Sequence, residues 1–115
     1  MKKTIVFDFD GVIHSYTSGW KGEAVIPDPP VPGIKEVIDE LRTTGYEVVV
    51  VSSRANSVVG WTAIKAYLKE HGVVVDNVAH SKPPALVYID DRAICFDGHA
   101  ETLLDKIKNF KPWNK

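Results

Sequence analysis

What this sequence has little of narrows its function before any motif does. Its 115 residues hold one cysteine, Cys95, so no intramolecular disulfide can form and nothing calls for an oxidising compartment. A cytoplasmic protein is expected. Charge of one sign is also missing. The 14 Lys and Arg against 15 Asp and Glu leave a net charge of -1, without the basic excess that nonspecific binding to duplex nucleic acid requires. Long apolar runs are absent as well. The longest, residues 48–51 and 73–75, fall far short of the roughly 20 residues that cross a bilayer. Met1-Lys2-Lys3 leads directly into a strand pattern, with no apolar stretch of signal length. The expectation is a protein that is neither exported nor bound to a membrane.

What is present fits one soluble globular domain over residues 1–115, a compact enzyme or binding module, with 44% hydrophobic and 25% charged residues. Runs rich in Val and Ile at residues 4–7, 47–51, 73–75 and 86–89 do not alternate with polar residues, as in strands buried on both faces of a parallel sheet. Between them, Ile34, Val37, Ile38 and Leu41 repeat at helical spacing. Trp61, Ile64 and Leu68 do so approximately, and Leu103, Leu104, Ile107 and Phe110 suggest a last helix. Pro32-Gly33 can open the first helix, Gly45 can close it, and Gly72 can close the second. A further short strand is expected at 93–96. The alternation predicts an α/β fold: a doubly wound open parallel sheet, Rossmann-like, with helices on both faces and no separate cap domain. Residues 14–32, with two glycines and four prolines and no clear period, form an irregular flap-like loop, and residues 111–115 are expected to fray.

In such a sheet ligands bind beyond the carboxyl ends of the strands. Asp8 and Asp10 end the first apolar run, Ser52, Ser53 and Arg54 follow the second, and Asp90 and Asp91 follow the run at 86–89. Any one of these has an ordinary reading, because Asp and Ser also cap helices and turn chains. Together they deliver four carboxylates to one edge, a density that calls for a cation. Oxygen ligands of this kind suit a hard ion. Magnesium takes one or two carboxylates, waters and the oxygens of a substrate phosphate.

Three motifs then carry a resemblance. Ile5-Val6-Phe7-Asp8-Phe9-Asp10-Gly11-Val12, Val48-Val49-Val50-Val51-Ser52 and Leu86-Val87-Tyr88-Ile89-Asp90-Asp91 follow one another in the order of the haloacid dehalogenase-like phosphohydrolases. The resemblance spans roughly residues 4–98 and implies a magnesium-dependent phosphomonoester hydrolase working through an aspartyl-phosphate. It implies that Asp8 is the nucleophile and Asp10 the general acid and base, with the Asp10 backbone carbonyl on the metal. Asp8 and Asp90 would hold magnesium, with Asp91 direct or through water, while Ser52, with Ser53 beside it, would hydrogen-bond the phosphate. Arg54 would either reach that phosphate or pair with an acidic residue at the rim. For the family's lysine the nearest match is Lys82. Its place eight residues before Asp90 could leave it roughly 15–25 Å from the cleft along an extended chain, so Lys65 and Arg54 remain substitutes.

His14 reads more readily as a turn residue than as a substrate contact, Trp61 as core, and Cys95 as a small buried hydrophobe. Trp20 either stacks on a substrate ring or pins the loop. Neither gap between motifs is long enough for a cap, which leaves an open site suited to a bulky phosphorylated substrate or to closure by a partner subunit. A small phosphorylated molecule remains possible as substrate, as does a homo-oligomer. Residues 50–54 with Asp90-Asp91-Arg92 are similar to phosphatase domains of polynucleotide end-processing enzymes, so a nucleic-acid end is one candidate substrate. Two other classes compete. A phosphoryl-accepting receiver domain uses the same residue types, but it resembles a pattern with the acidic pair early and the phosphorylated Asp on a middle strand. A catalytically silent binding module on this fold is the third reading.

Overall fold

The computed structural model describes residues 3–115. Four strands, β1 (Thr4–Asp8), β2 (Glu47–Val51), β3 (Asn77–Ala79) and β4 (Val87–Ile89), alternate with helices α1 (Ile34–Thr43) and α2 (Val58–Glu70), and α3 (Leu103–Lys108) follows. All strand pairs are parallel and the order across the sheet is β3-β2-β1-β4. The chain steps outward from β1 to β3 and then returns past β1 to lay down β4. That reversal makes the sheet doubly wound and puts its switch point between β1 and β4.

Alternation along the strands separates two faces. Ile5, Phe7, Val48 and Val50 join Ile38 of α1 and Ile64, Tyr67 and Leu68 of α2 in the main core, together with Phe9 and Ile13 from the loop after β1. Val6, Val49 and Val51 point the other way and form a smaller cluster with Ala79 and Ala85 packed against it. The helix cover is therefore uneven. Right-handed crossovers that progress in one direction put α1 and α2 on the same side. Only the link from β3 to β4 passes over the second face, and residues 80–86, with Pro83 and Pro84, are too few for a crossover helix. α3 contributes no buried residue and leaves Leu104 and Ile107 exposed.

Several expectations are corrected. The strand foreseen at 73–75 lies at Asn77–Ala79 instead. Val73 closes the end of α2, its N–H donating to the Leu68 carbonyl, and is buried in the core, so its apolar character serves packing rather than a strand. Residues 93–96 form no strand, and Cys95 is exposed. Trp61, expected in the core, is exposed instead, its indole N–H donating to the Val78 carbonyl. The tail is tied down: Trp113 donates to the Gly11 carbonyl at 2.7 Å and Asn114 to that of Ser15 at 3.0 Å. No helix among the described residues is long and apolar enough to cross a membrane.

Candidate active site

Parallel register levels the strand ends: Phe7 lies opposite Ile89 and Asp8 opposite Val51. The residues that follow therefore meet at one edge, beside the switch point. One oxygen each of Asp8, Asp90 and Asp91 lies within 4.8 Å of the others. Asp8, Ser52, Ser53, Lys82 and Asp90 line a cavity of about 250 Å³. Asp8, Asp10, Ser52 and Ser53 also line an adjoining one of about 200 Å³, so the two are lobes of one cleft. A larger hollow of about 520 Å³ beneath α3 is lined by Arg92 and the apolar Ile94, Ile107, Phe110 and Pro112, and offers no carboxylate or hydroxyl for chemistry.

Gly11 makes the convergence possible. Its φ of 88° is strained for any residue with a side chain, and a Cβ there would collide with the Asp91 carboxylate. The acidic motif needs glycine next because Asp91 occupies the space beside it.

The three carboxylates are poorly compensated by the protein alone. The Asp8 carboxyl is pushed up to about 8, first by burial, then by the charge of Asp90 and a hydrogen bond with Asp91. Asp91 Oδ1 is buried without a hydrogen-bond partner. A buried acceptor of this kind is costly, and a hard divalent cation relieves both it and the repulsion at Asp8. The donor set fits magnesium: oxygen only, half-buried, at the rim of a cleft with room for water and a phosphate.

Asp10 lies outside this trio. His14 Nδ1 lies 2.8 Å from its Oδ1, and Arg54 holds it through Nε at 2.8 Å and Nη2 at 3.2 Å. Burial pushes the Asp10 carboxyl up, but the hydrogen bonds of His14 and Arg54 and the guanidinium charge outweigh that and hold it below the usual range. Arg54, itself buried, sends Nη1 to the carbonyls of Gly22 and Glu23 at 2.8 and 2.9 Å. It thus pairs with the acidic residue at the rim and ties the flap to the strand end. The 3₁₀ turn at Ser53–Asn56 sets this up: Ser52 caps it by accepting the Arg54 N–H at 3.2 Å, which leaves the hydroxyl proton free to donate.

His14 is the residue the sequence undervalued. It is fully buried, and its Nε2 accepts the Asp28 backbone N–H at 3.1 Å, so the ring proton sits on Nδ1 and is donated to Asp10. Asp28 is held in turn by Ser18, and its carbonyl accepts the Tyr67 hydroxyl of α2 at 2.9 Å. Helix, flap and Asp10 are joined through one imidazole.

Lys82 reaches the cleft, with Nζ 3.6 Å from Asp90 Oδ2. Counting back along β4 misjudges the distance because Lys82 is placed by β3. Ala79 lies opposite Val51 at the cleft edge, so three residues later the chain is still there. It drops to the far end only by Leu86, whose N–H donates to the Thr4 carbonyl. Lys65 lies over the ring of Trp61 instead.

The fold and site thus define an open α/β domain with an acidic cleft at its switch point. No protein-family profile matches the chain, and no curated protein matches it in sequence. Solved structures do. A chain of the Pnkp1/Rnl/Hen1 RNA repair complex superposes with a TM-score of 0.57 at 15% identity, over 92% of this chain and 30% of that one. A second structure of the Pnkp1/Rnl/Hen1 complex gives 0.58 at 16% identity, over 92% and 35%. D,D-heptose 1,7-bisphosphate phosphatase from B. bronchiseptica, complexed with magnesium and phosphate, reaches only 0.47 at 23% identity, over 70% and 50%. This chain spans about a third of the length of the two RNA repair chains, and the likeness to them is one of fold. It agrees with the open parallel α/β fold that the sequence predicts.

Proposed function

We propose that this chain is a magnesium-dependent phosphomonoester hydrolase that works through an aspartyl-phosphate on Asp8. The observation that carries the reading is the meeting of Asp8, Asp90 and Asp91 with Ser52 and Lys82 around one cleft. Magnesium held by Asp8, Asp90 and Asp91, with the Asp10 carbonyl as a further ligand, would offset the charge between an anionic nucleophile and an anionic phosphate.

A carboxylate oxygen of Asp8 attacks phosphorus and the ester oxygen leaves, taking a proton from Asp10. Water, giving its proton back to Asp10, then breaks the phosphorus bond to Asp8. The depressed Asp10 carboxyl suits the second half of this cycle, where it is the base. Its acid half depends on substrate, because a phosphate brings negative charge beside it and raises its proton affinity. Ser52 donates to a phosphate oxygen and Lys82 neutralises charge at the Asp90 side, while Arg54 and His14 hold Asp10 in place.

The test is hydrolysis of a generic aryl phosphate with and without magnesium, for the wild type and Asp8→Asn. Turnover that needs magnesium and falls at least roughly a thousandfold in the variant is the expected result. Turnover that survives Asp8→Asn would sink the assignment.

A further inference from the structure

The lobe of the cleft beside Asp10 carries an aromatic surface that phosphoryl transfer does not use. Trp20 and Tyr16 line it together with Asp8, Asp10 and Ser52, and Arg92 stands at its rim. Trp20 is 57% exposed although it sits beside a buried network. An exposed indole is normally expected to turn onto apolar surface, and this one is instead held by a cation: the Arg54 guanidinium lies 4.6 Å from the ring centroid. That guanidinium is itself fixed by Asp10 and by the flap carbonyls of Gly22 and Glu23. The ring is thus rigidly coupled to the residue assigned to protonate the leaving group.

Tyr16 adds to the same wall. Among the described residues it is the one non-glycine with positive φ, 61°, a conformation a bulky residue adopts at a cost. Its ring lies edge-on to His14 at 5.8 Å, so the strained turn places it against the Asp10 support. A flat, preorganised aromatic face a short step from the leaving-group side suits a leaving group with a planar ring of its own. Base on aromatic is the common solution for nucleic-acid components, because every base offers a π-face.

Resting on the hydrolase reading above, we infer that the substrate is a phosphomonoester of a nucleoside, whose base stacks on Trp20 while its phosphate lies between Asp8 and Ser52. A free nucleotide and the end of a polynucleotide share this chemistry. The near-neutral charge of the chain places recognition in this one base rather than in a run of backbone phosphates.

Calorimetry on the Asp8→Asn protein with magnesium tests it without turnover, with adenosine 5′-monophosphate, ribose 5-phosphate and a short 3′-phosphorylated oligonucleotide as probes. The nucleotide should bind roughly tenfold or more tighter than the sugar phosphate. Trp20→Ala should bring that ratio close to one, and Trp20→Phe should keep most of it. Tighter binding of the oligonucleotide than of the mononucleotide, lost in Trp20→Ala, supports the inference with a polynucleotide end as source, and the reverse order supports it with a free nucleotide. Equal affinity for adenosine 5′-monophosphate and ribose 5-phosphate, or a preference that survives Trp20→Ala, would overturn it. A base preference intact in a protein that hydrolyses no phosphate would instead count against the hydrolase reading alone.

Discussion

At the scale of single residues, the site divides its carboxylates by their neighbours. Asp8 faces two other acids and holds its proton to about 8, whereas Asp10 faces a guanidinium and an imidazole and gives its proton up early. The first has a consequence for stability. Unfolded, Asp8 releases its proton near 3.8; folded without metal, only near 8. Its stabilising contribution is therefore complete below about pH 4 and is lost as pH rises through 8. The melting temperature of metal-free protein should fall between about pH 5 and pH 8 relative to Asp8→Asn, and magnesium should remove the difference. Scanning both proteins across that range checks it, and a wild-type melting temperature that climbs relative to the variant would contradict it. His14 makes a second case. His14→Ala leaves the Asp28 N–H buried without an acceptor and Asp10 without one of its donors, a loss of about 1–3 kcal/mol in denaturant unfolding. His14→Asn, which keeps a donor toward Asp10, should recover more of kcat than His14→Gln does.

At the scale of elements, one buried arginine joins the 3₁₀ turn after β2 to the flap. Arg54→Lys keeps the charge but not the fork, so the carbonyls of Gly22 and Glu23 lose their donor. Limited proteolysis should then cut within residues 19–25 faster than in the wild type, at matched global stability. These links explain what could be read from the sequence. β2 matches its expected limits residue for residue, because four consecutive valines have no other use, and the helix ends fall at Gly33, Gly45 and Gly72, each with positive φ. The three strand ends that carry acids and hydroxyl were legible for the same reason. The support behind them was not. His14 meets Asp28 fourteen residues later through an irregular loop, and no period marks such a contact. β3 was misplaced because the valines before it pack on the core without pairing, and Lys82 looked distant for want of β3's true end.

At the scale of the whole molecule, stability is concentrated on the face shared by α1 and α2. Ile64 is fully buried there, while Leu104 of α3 is 63% exposed. Ile64→Ala should cost about 2–5 kcal/mol and Leu104→Ala less than about 0.5, measured by urea unfolding. Equal losses would mean that α3 is packed after all. The sheet also explains how few elements bring the candidate site together. A doubly wound order needs only β1, β2 and β4 to bring Asp8, Ser52 and the Asp90-Asp91 pair level, and β3 delivers Lys82. The proposed hydrolysis then rests on a carboxylate oxygen of Asp8 as the atom that takes the phosphoryl group. Acid quenching during turnover of an aryl phosphate with magnesium, followed by borohydride reduction and peptide mapping, tests that most directly. An aspartyl-phosphate at Asp8 is reduced to homoserine at position 8 alone, which is the result predicted here. Reduction at another carboxylate, or steady turnover with no reducible intermediate at Asp8, would contradict it.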